Sequence, residues 1–163
     1  MHFKGTYFLL LASFLFAFSC KNACRNLDCQ NEAICSDGEC ICQKWYAGDE
    51  CELKYNRNYT GTYYGIYDVS NGNQFRSSDS LTLTAGEMPN ELHVQQGFHL
   101  LFETDSTLII PEQVVETPIG TYHYSGTGVY RADYLQIHYE VLDTENGHIE
   151  KVSFEGERVL KES

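Results

Sequence analysis

All seven cysteines of this chain fall between Cys20 and Cys51, and the remaining two thirds has none. That distribution makes the chain two-part. A segment this short cannot bury enough apolar surface to offset its chain entropy, so closely spaced cysteines supply covalent closure instead. Six of them run from Cys24 to Cys51 as CRNLDCQNEAICSDGECICQKWYAGDEC, spaced C-x4-C-x5-C-x4-C-x-C-x8-C. Spacing alone leaves their connectivity open. Cys20 is left over, because an odd number cannot pair within one chain, and a free thiol is a liability where disulfides form.

The surroundings of Cys20 suggest its role. The first residues, MHFKGTYFLLLASFLFAFS, carry one basic residue, then an apolar run from Tyr7 to Phe18, and no acid. This is the layout of a secretory signal over 1–19, and the run is shorter than the ~20 residues of a membrane-spanning helix. Small Ser19 stands directly before Cys20. The arrangement resembles the lipobox of bacterial lipoproteins, in the relaxed form of Bacteroidetes-type envelopes. The resemblance implies a diacylated, palmitate-type anchor at Cys20, a lipidated N-terminus over 20–23, and a location at the outer membrane of the cell envelope, on its extracytoplasmic side. The membrane is then a partner, held by two acyl chains.

The cysteine segment resembles an EGF-like domain over 24–51, with Tyr46 and Gly48 at the family's aromatic-x-Gly corner and Trp45 where a Gly is common. The resemblance implies the pairs Cys24 with Cys35, Cys29 with Cys40, and Cys42 with Cys51. Asp37-Gly38 is hairpin-turn chemistry between two short strands. Calcium is not expected. The residues before Cys24 read CKNA, where Lys21 brings positive charge and only Asn22 offers a side-chain oxygen, and no aromatic follows Asp37 in the short SDGE loop.

After a short polar joint over 52–58, the stretch 59–163 is rich in Tyr, Thr, Val and Ile and reads as all-β. Eight strands are expected: YTGTYYGIYDV, DSLTLTA, ELHVQQ, FHLLFET, STLIIPE, GTYHYSGTGVYR, DYLQIHYEVLD and HIEKVSFEGERVL. Leu135, Ile137, Tyr139 and Val141 alternate with Gln136, His138 and Glu140, so one face is buried and one wet. Turn residues at Asn71, Ala85, Thr104, Arg131 and Glu145 predict an up-and-down meander. Sequential antiparallel strands of this number suit a closed or nearly closed barrel, which removes exposed edges. Gly61 and Gly65, alternating with Tyr59, Tyr63 and Tyr67, mark a sharp bend in its wall. The opening GTYYGIY and the segment GTYHYSGTG resemble lipocalin-like C-terminal domains of small envelope lipoproteins.

No cofactor is implied, and no metal set. His93 and His138 lie in the polar phase of their strands beside Glu91 and Glu140, and His99, His123 and His148 are not spaced to complete a ligand set. SGTG at Ser125–Gly128 lacks the Lys and helix start of a phosphate loop and reads as a strand kink. Nucleophile-elbow and zincin motifs are absent from the sequence after residue 19, and no enzyme is read here. With 23 acidic against 11 basic residues and a net charge of −12, the surface repels nucleic acid. Asn58 in NYT, and Asp79 and Asp105 before serines, are weak glycan-acceptor signals. The tyrosines carry more information, because each joins apolar area to a hydroxyl. Tyr63, Tyr67, Tyr122, Tyr124, Tyr130 and Tyr139 are the candidate ligand residues if the barrel holds a small apolar molecule. The first expectation is a binding or adhesion module for a protein or glycan partner; the second is such a carrier, and a hydrolase is a distant third.

Overall fold

In the computed structural model the described residues are 23–159, so the signal expected over 1–19, Cys20, Lys21, Asn22 and the last four residues lie outside them. The described chain forms two compact units. One comprises the residues up to Gln43 together with Gly48–Glu52; the other comprises Lys44–Ala47 together with Leu53 onward.

The first unit is held by three disulfides, Cys24–Cys35, Cys29–Cys40 and Cys42–Cys51. This is the order implied by the EGF-like resemblance. β1 (Ile34–Ser36) and β2 (Glu39–Ile41) pair antiparallel around Asp37 and Gly38, whose φ angles of 55° and 91° are the left-handed pair of a tight hairpin turn. Further closure comes from Asn31, whose Nδ2 donates to the Cys51 carbonyl at 2.7 Å, and from Gln30 N donating to the Glu50 carbonyl at 2.8 Å. Little apolar side chain is buried here, as expected of a covalently stapled module.

The second unit begins with β3 (Tyr46–Ala47) paired to β4 (Leu53–Lys54), followed by a 3-10 turn over Tyr55–Tyr59. Eight further strands follow: β5 (Gly61–Ser70), β6 (Gln74–Ala85), β7 (Glu91–Val94), β8 (His99–Phe102), β9 (Thr107–Thr117), β10 (Gly120–Arg131), β11 (Tyr134–Asp143) and β12 (His148–Arg158). They pair antiparallel with their sequence neighbours, and β12 closes on β5 to complete a barrel. All eight expected strands are present and the expected meander holds.

Two strands are longer than their sequence suggests. β6 starts at Gln74 rather than Asp79, and β9 continues past Glu112 to Thr117. In QFRSSD the apolar alternation is missing because that half of β6 is mostly exposed. Pro111 reads as a strand end but sits beside the bulge where β9 shifts register against β10, between the Ile110–Gly126 and Gln113–Tyr124 pairs. The extra residue is on β9, where Pro111 and Glu112 together face Ser125, so the irregularity expected of SGTG belongs to its partner strand.

Inward-facing residues fill the half of the bore where β5 begins: Tyr63, Leu81, Leu83, Leu92, Leu100, Leu108, Leu135, Ile137 and Phe154 are buried. Such strong coiling needs close backbone approach. At Gly65 a Cβ would collide with the Glu155 carbonyl and the Gly156 Cα, and at Gly126 with the His138 carbonyl. The loop between β6 and β7 is tied by buried Asn56, whose Nδ2 lies 2.8 Å from both the Met88 and Glu91 carbonyls and whose backbone N–H donates to the Pro89 carbonyl.

Candidate functional site

The six tyrosines singled out in the sequence are all inward in phase, and the structure sorts them into three levels. Tyr63 and Tyr130 sit at the closed end, with rings at 84° and centroids 6.3 Å apart. The Tyr63 hydroxyl donates to the Tyr59 carbonyl at 2.8 Å and that of Tyr130 to Asp133 Oδ1 at 2.9 Å. Tyr59 packs edge-on against Tyr130 and within 4.5 Å of Phe102, centroid to centroid; Tyr55 and Trp45 stack outward from there, 5.1 Å apart. Lys44 Nζ lies 4.4 Å above the Trp45 ring and donates to the Glu103 carbonyl. This end of the bore is sealed by aromatic rings.

At mid-height Tyr67, Tyr124 and Tyr139 surround Phe98 and Phe154. Phe98 stacks on Tyr124 and lies 5.1 Å from Tyr139, while Tyr67 packs at 4.7 Å on Phe154 and accepts a hydrogen bond from Gln96 Nε2. Burial pushes the Tyr67 phenol up to about 12 and moves Tyr63, Tyr124, Tyr130 and Tyr139 in the same direction. These phenols stay neutral and act as packing and hydrogen-bonding groups.

Only Tyr122 reaches the open end. There it joins Val141, Asp143, His148 and Glu150 around a shallow mouth of about 240 Å³, in which Asn71 Nδ2 donates to Glu150 Oε1 at 3.2 Å. This is smaller than the ~300 Å³ at the low end of small-molecule pockets.

A larger concavity, about 460 Å³, lies on the outer wall across β5, β12, β11 and β10. Val69, Gly126, Tyr139 and Val152 line it together with residues of the outward phase, among them Asp68, Ser125, His138, Glu140, Lys151 and Ser153. Lys151 and Glu140 face each other directly across β12 and β11 and form an ion pair at 3.2 Å. Donors and acceptors of both signs therefore share one groove. None of these wall residues was singled out as a ligand group from the sequence, because outward polar residues on adjacent strands look like any solvated face.

His93 and His138 lie exposed, where the polar phase put them, whereas His148 lines the mouth beside Tyr122. His93 is paired across β7 and β8 with His99 and sits 3.1 Å from Glu91 Oε1. Burial alone would raise the Glu91 carboxyl, but hydrogen bonds from Met88 N and His93 outweigh it and hold the carboxyl below its ordinary value. Among the described residues no group of three His, Cys, Asp or Glu side chains is placed to hold a metal ion. Comparison with protein-family models and with curated proteins finds no match for this chain.

Proposed function

We propose that this chain is a non-enzymatic lipoprotein of the cell envelope, anchored through Cys20, in which an EGF-like stalk carries a lipocalin-like barrel that binds a protein or glycan partner through its outer wall and loops. One observation carries the binding part of this reading. The bore is occupied by Tyr63, Phe98, Phe154 and their neighbours, whereas the wall outside it holds a groove about twice the volume of the mouth. A packed barrel leaves the surface as the place to bind. The groove's mix of carboxylates, hydroxyls, an imidazole and an ammonium suits hydrogen-bonding partners such as a glycan or a polar peptide face.

The anchor is tested by mass spectrometry of the mature N-terminus, which should find two acyl chains on Cys20; an unmodified thiol would make the protein soluble and secreted. The binding reading is tested by screening the mature chain on a glycan array and a panel of surface and matrix proteins. A ligand found there should lose about tenfold or more in affinity when Lys151 and Glu140 are both replaced by Ala. If native mass spectrometry instead finds a co-purifying small molecule that disappears in Tyr122→Ala, the carrier reading replaces this one.

A further inference from the structure

β6 is twelve residues long and pairs with β5 from Gln74 to Leu83, but it pairs with β7 only from Leu83 to Ala85. The reason is length: β7 and β8 have four residues each, so the barrel wall between β6 and β9 is complete only at the closed end. Above Thr82, among the described residues, the side of β6 away from β5 has no strand beside it.

The direction of its free backbone groups follows from two hydrogen bonds. The Thr82 carbonyl accepts from Gln95 N and the Ser80 carbonyl from Gln95 Nε2, both at 3.2 Å, so these carbonyls point away from β5. Backbone groups of a strand alternate sides at each residue. Ser78, Arg76 and Gln74 therefore turn their N–H and C=O groups to the same open side, and all three residues are exposed.

The facing strand is guarded, whereas β6 is guarded only at Ser80, where Gln95 Nε2 takes the carbonyl and Asp79 Oδ1 the N–H. Along β9, Pro111 has no N–H, the Gln113 carboxamide occupies both His99 N and His99 O at 2.9 Å, and Gly97 lies against Val115. Gln74–Ser78 contains no proline, and its one cation, Arg76, is already drawn to Asp68 at 3.8 Å. An unguarded row of this kind is a template for an added strand.

Resting on the binding-protein reading above, we propose that the open edge of β6 over Gln74–Ser78 takes an extended, basic peptide segment of a partner protein as an added antiparallel strand. Apolar character is set by Phe75, 64% exposed and in the inward phase of Leu81 and Leu83. Basic character is set by Asp79, in the same phase, and by the chain's net charge of −12, which also disfavours pairing of two copies. Because Phe75 and Asp79 share a face, the added strand meets both demands by carrying an aliphatic and a basic side chain in one phase, four residues apart, with neutral polar residues in the other.

The test uses the isotopically labelled mature chain with Cys20→Ser and two probes, acetyl-TKTKTVT-amide, which sets Lys and Val in one phase, and the same peptide with a central proline. The first probe should slow amide exchange at Arg76 and Ser78, and the second should not. Ser78→Pro removes an N–H that points away from β5, so the barrel should keep its near-ultraviolet spectrum while probe affinity falls about tenfold. Protection that maps elsewhere, or binding unchanged in a folded Ser78→Pro variant, overturns the proposal. So does concentration-dependent protection of the same amides without probe, which would mean a second copy occupies the edge. If Ser78→Pro does not fold, the exchange map of the unaltered chain decides. A silent edge together with partner binding that depends on Lys151 and Glu140 removes the strand-addition site alone and leaves the binding reading standing.

Discussion

The ring of Phe98 stacks on that of Tyr124, with centroids 4.7 Å apart and planes 17° from parallel. Phe98 enters from the turn between the two shortest strands of the barrel, and it occupies the middle of the bore where a carrier would keep its ligand. Replacing it with Ala should cost about 3–5 kcal/mol in denaturant unfolding and leave an apolar void. The folded variant should then take up a small apolar probe such as benzene that the unaltered protein excludes, read by shifts of the Tyr124 and Tyr139 ring signals. Uptake by the unaltered protein would contradict a filled bore.

Asn56→Ala removes the donor shared by the Met88 and Glu91 carbonyls, which keep their backbone donors Glu91 N and Gly86 N. The expected loss is about 1–2 kcal/mol, measured as a lower urea midpoint with an unchanged slope. An effect below about 0.5 kcal/mol would show that water replaces the amide.

Gly65→Ala puts a methyl group into the backbone of β12, and Gly126→Ala does the same against β11. Each should destabilise by about 3 kcal/mol, since the obstacle is backbone and cannot rotate away. Gly72→Ala serves as the control: its Cβ would meet open space, and only its φ of 97° opposes the change.

At acid pH the turn after β10 should weaken. A hydrogen bond from Tyr130, and then one from Arg158, hold the Asp133 carboxyl below its ordinary value. A depressed carboxyl contributes stability above its unfolded pKa of about 4 and loses it as pH falls through the folded value. The stability difference between the unaltered protein and Asp133→Asn should therefore be present at neutral pH and shrink below about pH 4. A difference that is the same at pH 7 and pH 2.5 would exclude this source.

In alkali the sign reverses. Burial raises the phenols of Tyr63, Tyr67 and Tyr139, so their contribution is complete below the unfolded pKa of about 10 and is lost as pH climbs through the folded values. Absorbance at 295 nm should show one set of tyrosines ionising with ordinary midpoints and a second set that ionises only with loss of the barrel. A single ordinary transition in an intact fold would mean the bore is wet.

Much of this architecture was legible in the chain. Leu135 to Val141 announce a strand with one buried face, and Asp37-Gly38 announces a hairpin, because alternation and turn chemistry depend on residues adjacent in sequence. The inward phase of Tyr63, Tyr67 and Tyr139 could be read in the same way. Their partners could not. Trp45 reads as an odd residue at a glycine corner, yet it stacks with Tyr55 on an aromatic cluster that reaches Tyr130, far along the chain.

By itself, then, the sequence determined a cysteine-closed module before a β domain, eight strands in meander order, and the inward face of strands that alternate clearly, such as Leu135–Val141. Those are local properties, decided within a few residues. Only the tertiary structure decided that aromatic rings meet in the middle of the bore, that Lys151 and Glu140 face a groove on the outer wall, and that β6 outruns β7 and keeps an open edge. Each of these depends on register and relative strand length around a closed barrel. They are relations between segments far apart in the chain, and no stretch of sequence carries them alone.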